Sequence, residues 1–256
     1  IVTPPHGSML PTSPVHKNIF MVAFALGLLI PIVIIFMREN MNTRVRGRKD
    51  LENLTIPFIG EIPLFTRKKK GILGKKPQEV KAVIVKEGNR DIINEAFRVL
   101  RTNLEFMTGK DKTSNVIIMT SFNPGSGKSF LTMNIAVSLA IKGKKVLVID
   151  GDLRHASASS YIDSPDKGLS DYLGGRIDNL DEIIVPDPKH KSMDILPVGT
   201  IPPNPTELLF DERLKQTIDT VREQYDYVLI DCPPVELVAD TQIIEKLADR
   251  TVFVVR

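Results

Sequence analysis

The chain has one cysteine, Cys232, in 256 residues. No internal disulfide can form, so a disulfide-stapled scaffold is excluded and the folded part is expected in a reducing compartment. Histidines are few, and His6, His16, His155 and His190 show no metal-like spacing, so no zinc site is expected. No segment repeats with a solenoid period. Net charge is low, at +3. Hydrophobic residues make up 42% and charged residues 25%, which excludes a collagen-like or fully disordered chain. At about 150 residues per domain, one or two domains are expected.

The small net charge hides an uneven distribution. Lys17 is the sole charged residue before Arg38. Residues 38–81 carry 12 basic and 5 acidic side chains, a net of +7, whereas residues 82–256 carry 21 and 26, a net of −5. A basic strip between an uncharged start and a mildly acidic domain points to anionic membrane lipid as a partner, and not to nucleic acid.

Residues 19–37 form a run of 19 without charge. At ~1.5 Å per residue such a helix crosses roughly the 30 Å hydrocarbon core. Pro31 is tolerated in a membrane helix. The run is too long for a signal-peptide core, and no small-residue cleavage site follows it. A transmembrane helix is therefore expected over 18–37. Arg38, Arg44, Arg46, Arg48 and Lys49 follow it, while His16 and Lys17 precede it. The positive-inside rule then places residues 38 onward in the cytoplasm and the proline-rich stub 1–17 outside. A chain that starts with a stub and a spanning helix reads as a fragment of a longer one. Residues 38–88 read as a basic linker, with Arg67, Lys68, Lys69, Lys70, Lys75 and Lys76 among Gly71, Gly74 and Pro77. Lipid contact there is worth about 1 kcal/mol per basic residue near the surface.

From residue 89 the pattern is globular. Apolar positions at Ile92, Ile93, Ala96, Phe97, Leu100 and Leu104 predict an amphipathic helix over 91–107. Strands are expected at 116–120, 146–150, 194–198, 228–231 and 251–255. Helices are expected at 128–142, 206–223 (Thr206 as N-cap) and 240–248. Continuously apolar strands alternating with helices predict an α/β fold, a mostly parallel sheet covered on both faces.

Three motifs follow three of these strands. The loop from Ser121 reads Phe122, Asn123, Pro124, Gly125, Ser126, Gly127, Lys128, Ser129, Phe130. Its glycines let backbone N–H groups turn inward at a helix start, where they cradle phosphate. Lys128 is placed for the β- and γ-phosphates of ATP, and Ser129 for Mg²⁺. A strict P-loop has glycine where Phe122 stands. The second motif is Asp150-Gly151-Asp152, two carboxylates at a strand's end, suited to phosphate-bound Mg²⁺. The third is the apolar run 228–230 ending in Asp231, an arrangement that holds Mg²⁺ or its water. Cys232, next to it, reads as a small buried residue.

Taken together these motifs resemble the bacterial tyrosine kinases of capsule and exopolysaccharide export, a P-loop NTPase-like family. The resemblance identifies the loop as Walker A, Asp150 and Asp152 as Walker A′, and Asp231 as Walker B. It identifies Glu95, Arg98 and Arg101 as the family's oligomerisation motif. Residues 199–209 and Pro11 to Pro14 also look like the family. The resemblance implies an ATP- and Mg²⁺-dependent autokinase in the bacterial inner membrane, with its kinase domain in the cytoplasm. It implies a ring-like homo-oligomer phosphorylating in trans, and as partners the polysaccharide export machinery and a phosphotyrosine phosphatase. Family members usually carry an upstream periplasmic domain and a tyrosine-rich tail. Here Tyr161, Tyr172, Tyr225 and Tyr227 do not cluster, and the last two read as packing residues. Two other readings compete. One is a deviant-Walker positioning ATPase, whose loop carries lysine where this chain has Asn123. The other is a chain-length co-polymerase with a regulatory ATP site.

Overall fold

The computed structural model describes residues 16–40, 45, 47, 55–63, 83–109, 115–236 and 239–256. The expected stub lies outside them apart from His16 and Lys17, as do the basic residues Arg67 to Lys70, Lys75 and Lys76. The chain divides into two compact units, 1–45 and 46–256.

The first unit is helix α1, His16–Asn40. Its stretch Lys17–Glu39, 23 residues with mean hydropathy 3.0, is long and apolar enough to cross a membrane. None of that stretch is buried against protein, so it is not a core helix of its unit. Pro31 sits inside it without ending it.

In the second unit a six-stranded sheet runs in the order β3-β4-β2-β5-β1-β6. The strands are β1 Val116–Ser121, β2 Val146–Asp150, β3 Val185–Pro186, β4 Met193–Leu196, β5 Tyr227–Asp231 and β6 Arg250–Val254. All neighbours pair in parallel except β3, a two-residue antiparallel edge. The central strands β1, β2 and β5 are buried along their whole length. Alternation along them divides the core. Ile117, Met119, Val146, Val148 and Leu229 face one cluster, while Val116, Ile118, Leu147, Ile149 and Ile230 face the other.

The first cluster is covered by α2, Ile92–Thr108, and α3, Lys128–Ile141. Asp91 caps α2 by accepting from the Asn94 N–H, which holds its carboxyl below the usual range. The second cluster is covered by α4 Leu169–Leu173, α5 Pro205–Leu209, α6 Glu212–Gln224 and α7 Asp240–Glu245.

The single helix expected over 206–223 is two helices. Asp211 caps α6 through the Arg213 N–H and so interrupts the run. Thr206 is not an N-cap: Pro205 opens α5 after Asn204, and the Thr206 hydroxyl is engaged elsewhere. The basic linker also differs from expectation. Ile59, Ile62, Val83 and Ile84 pack against the first cluster, and Val85 is buried in it. The Asn134 carboxamide oxygen on α3 accepts the N–H groups of Ile84 and Val85 at 2.8 and 3.1 Å, and Asn94 accepts that of Lys86 at 2.9 Å. Apolar residues within a charged stretch were the signal for this.

Tyr225 and Tyr227 do pack, both 7% exposed. The Tyr225 hydroxyl donates to Asp194 at 2.8 Å, and burial with that carboxylate pushes its pKa up.

Candidate nucleotide site

The carboxyl ends of β1, β5 and β2 lie side by side, and register pairs Met119 with Asp231 and Asp231 with Asp150. All three motifs therefore meet at one edge of the sheet. The loop between β1 and α3 is closed by Ser121 and Ser126, whose hydroxyls donate to the Asn123 carbonyl at 2.8 and 2.7 Å. Gly125 and Gly127 take φ of 72° and 94°, which a side chain would resist. Gly127 is the residue before α3, so the first N–H groups of α3 open onto the loop with their partial positive charge. Phe122, at the position of the missing glycine, is exposed.

Lys128 begins α3 and is buried. The Phe130 side chain turns away from the loop and packs edge-on against Phe97, centroids 6.1 Å apart. What it offers a ligand is its backbone N–H.

Asp231 is buried, and neither carboxylate oxygen has a hydrogen-bond partner among the described residues. The Ser129 hydroxyl lies near enough to favour the charged form of Asp231 but falls short of hydrogen-bond geometry. Burial, then the neighbouring Asp150, push its carboxyl up to about 8, against the opposing pull of Ser129 and Lys128. Asp150 is treated differently. Both the backbone N–H and the hydroxyl of Ser159 donate to it at 2.6 Å. Its carboxyl is still raised to about 6, by burial first and then by Asp152. Asp152 accepts the N–H groups of Arg154 and His155 at 3.3 and 3.1 Å. Gly151 allows the two strand ends to approach, since a Cβ there would lie 3.0 Å from Ile230 and 3.2 Å from the Asp231 carbonyl.

A buried carboxylate without donors is costly unless a cation meets it. Beside a phosphate-binding loop, a divalent ion shared with phosphate would meet that need. Among the described residues no three His, Cys, Asp or Glu side chains close around a metal by themselves. Mg²⁺ fits such a place, because it binds through one or two carboxylates, retained waters and substrate phosphates. Ser129 and Asp231 face each other there, with Asp150 and Asp152 adjacent. Cys232 is buried, and burial first, then Asp231, push its thiol pKa well up, so it is no nucleophile.

Sequence reasoning passed over Ser159, Arg154 and Asp240. Ser159 fixes Asp150 from nine residues downstream, and its hydroxyl also accepts the Val198 N–H at 2.9 Å. No spacing rule marks such a contact. The proposed oligomerisation residues do not join the site. Glu95 pairs with Arg98 at 2.6 Å, and Arg98 also donates to the Asn89 carbonyl. Arg101 turns inward and donates to the Ser138 carbonyl on α3 at 2.8 Å.

Residues 114–255 match the family model described as an AAA domain. The chain is 33% identical over 253 residues to the tyrosine-protein kinase wzc of Salmonella typhimurium, covering 95% of this chain and 34% of that protein. It is 30% identical over 267 residues to the tyrosine-protein kinase etk of Escherichia coli, covering 100% of this chain and 36% of that protein. It thus spans about a third of the length of the curated relatives it matches. Among solved structures, the kinase domain of the Escherichia coli tyrosine kinase ETK superposes with a TM-score of 0.71 at 28% identity, over 82% of this chain and 81% of that one. With a P-loop edge built as described, the chain belongs to the AAA-domain family, and it is similar across nearly its whole length to bacterial tyrosine-protein kinases.

Proposed function

We propose that this chain is the membrane-anchored catalytic part of an ATP-dependent protein-tyrosine autokinase that regulates capsular or exopolysaccharide synthesis and export. The observation that carries the reading is Asp231, buried and without donors among the described residues, beside Lys128 and Ser129. Kinship with tyrosine-protein kinases supplies the acceptor class. The chain is organised as a spanning helix over 18–37 in the bacterial inner membrane, a basic tether against anionic lipid, and a cytoplasmic kinase domain from residue 89. Segments 55–63 and 83–88 dock onto that domain.

ATP is the phosphoryl donor. Loop N–H groups from Pro124 to Phe130 hold its phosphates, and Lys128 neutralises the oxygens of the transferred group. Ser129 and Asp231 would hold Mg²⁺, directly or through water, with Asp150 or Asp152 completing the set. When bound, Mg²⁺ would supply neutralisation of phosphate charge. A carboxylate at the end of β2, Asp150 or Asp152, takes the proton of the acceptor hydroxyl. Phosphoryl transfer depends mainly on this positioning and charge stabilisation.

The acceptor tyrosine comes from a neighbouring copy in a ring-like homo-oligomer built on α2. The export machinery and a phosphotyrosine phosphatase are the further partners. The test is ATP with Mg²⁺ on the detergent-solubilised chain, wild type beside Lys128→Met, read by phosphotyrosine mass spectrometry. Phosphotyrosine in the wild type only is expected. Phosphate release without phosphotyrosine would make the protein an ATPase and overturn the kinase reading.

A further inference from the structure

The loop that carries Asp152 is fastened to the rest of the domain by a side chain that plays no part in the motifs above. After Gly151 the chain turns sharply, and Ala156 takes φ 48°, a left-handed conformation that costs a residue with a Cβ about 1 kcal/mol. Among the described residues Asp152 accepts only from its own loop: the N–H groups of Arg154 and His155, with the His155 ring at 3.2 Å. Bonds inside a loop do not fix its direction. Leu153, buried beneath, fixes its depth.

Arg154 supplies the direction. Its Nε–H donates to one oxygen of Asp240 at 3.0 Å, and Nη2 donates to the Thr206 hydroxyl at 2.9 Å. The Thr206 hydroxyl donates in turn to the other Asp240 oxygen at 2.6 Å. These three residues stand on the segments that follow β2, β4 and β5. The Asp240 side chain is 1% exposed, and Arg154 is the cation paired with it. The carboxylate is thus shielded while the Arg154 side chain stays 37% exposed, and the planar guanidinium is held at two of its nitrogens. A lysine cannot reproduce that fork.

We infer that Arg154 is a positioning residue that aims the Asp152 carboxylate at the divalent cation, with Asp240 and Thr206 as its fixed support. The inference rests on the nucleotide–Mg²⁺ reading of the site. Partners that orient metal ligands typically affect metal affinity by about 10–100-fold.

The test uses the full chain in detergent with ADP. Mn²⁺ is titrated and the free ion followed by electron paramagnetic resonance. Nucleotide binding is measured separately in EDTA. For Arg154→Ala, Mn²⁺ binding should weaken about tenfold or more, and for Arg154→Lys by less. For Thr206→Val, which keeps the Arg154–Asp240 pair, about threefold is expected. Nucleotide binding in EDTA should stay within about twofold of wild type for all three, since the loop on β1 is untouched. Wild-type Mn²⁺ affinity in Arg154→Ala would overturn the inference while leaving the site reading intact. A parallel fall in EDTA would also overturn it, because the role would then be general packing. Absence of nucleotide-dependent Mn²⁺ uptake by the wild type would instead sink the site reading itself. Should Arg154→Ala fail to fold, Thr206→Val decides, and an unchanged affinity there refutes the proposal.

Discussion

At the amino end of the sheet, Asp249 accepts the Val116 N–H at 2.8 Å and takes the Arg222 guanidinium at 2.6 and 2.7 Å. At the carboxyl end of the neighbouring strand, Asp231 has neither donor nor paired cation among the described residues. Both are aspartates at the ends of one sheet in one domain. The first has its charge matched within the chain and fastens α6 to the turn before β6. The second has its charge left for something else. An aspartate completed by its own fold is structural, and one left incomplete beside a phosphate loop marks a ligand.

Lys128 gives the sharpest way to break that comparison. Lys128→Met should lower turnover by about 10³-fold or more, because it removes charge meant for the transferred phosphoryl group. The thermal midpoint of the nucleotide-free protein should move far less than turnover, since among the described residues no hydrogen bond or ion pair is made by the ammonium and its pull on Asp231 acts at longer range. A large fall in both would make Lys128 structural, like Arg222.

Asp231→Asn tests the incomplete end through pH. The folded-state pKa of Asp231 is about 8, raised above the ordinary carboxylate value. The penalty for holding it charged is therefore absent below about pH 4, grows as pH rises, and is complete above about pH 8. Asp150, at about 6, adds a penalty of the same sign over a lower window. The nucleotide-free wild type should thus lose stability from about pH 4 up to about pH 8, with the loss above pH 6 due to Asp231, as read by urea titration at each pH. Asp231→Asn should be more stable there by a few kcal/mol, while losing metal-dependent activity. A wild type whose stability did not depend on pH in that window would mean that Asp231 is already satisfied.

At the matched end, Arg222→Ala should cost about 1–3 kcal/mol of folding stability by stranding a half-buried carboxylate. Nucleotide affinity should stay within about twofold, because α6 lies away from the loop. A selective loss of nucleotide affinity at unchanged stability would erase the distinction between the two ends.

How much of this was legible in the sequence follows the same division. Apolar runs ending in Asp150 and Asp231, and the glycines before Lys128, announce themselves because strand burial and phosphate binding each impose a local pattern. The sheet and the carboxyl-edge site were therefore readable. The break at Asp211 was not, because a capping aspartate inside a continuous helical periodicity looks like one more polar position. Nor was the docking of Val83 to Lys86, which depends on Asn94 and Asn134 reaching backbone N–H groups 8 to 50 residues away. Ser159, Arg154 and Asp240 share that character: their roles exist only once distant loops are brought together.

Helix α2 offers the smallest effects and the finest discrimination. Spacing alone makes Glu95, Arg98 and Arg101 equivalent members of one motif, yet the fold separates them. Arg98 is partly exposed and pairs with Glu95 one turn away, an arrangement worth about 0.3–0.5 kcal/mol. Arg101 holds α2 to α3, the helix that begins with Lys128, through the Ser138 carbonyl. Arg98→Ala should therefore leave stability nearly unchanged and act, if α2 is the ring contact, on assembly alone. Arg101→Ala should cost about 1 kcal/mol before any question of assembly arises. Light scattering across a concentration series, alongside urea titration of each variant, separates the two. Loss of assembly in Arg98→Ala at wild-type stability would place the contact at the exposed turn of α2. Loss in Arg101→Ala alone, in step with its stability, would show that the second arginine acts through the fold and not through a neighbour.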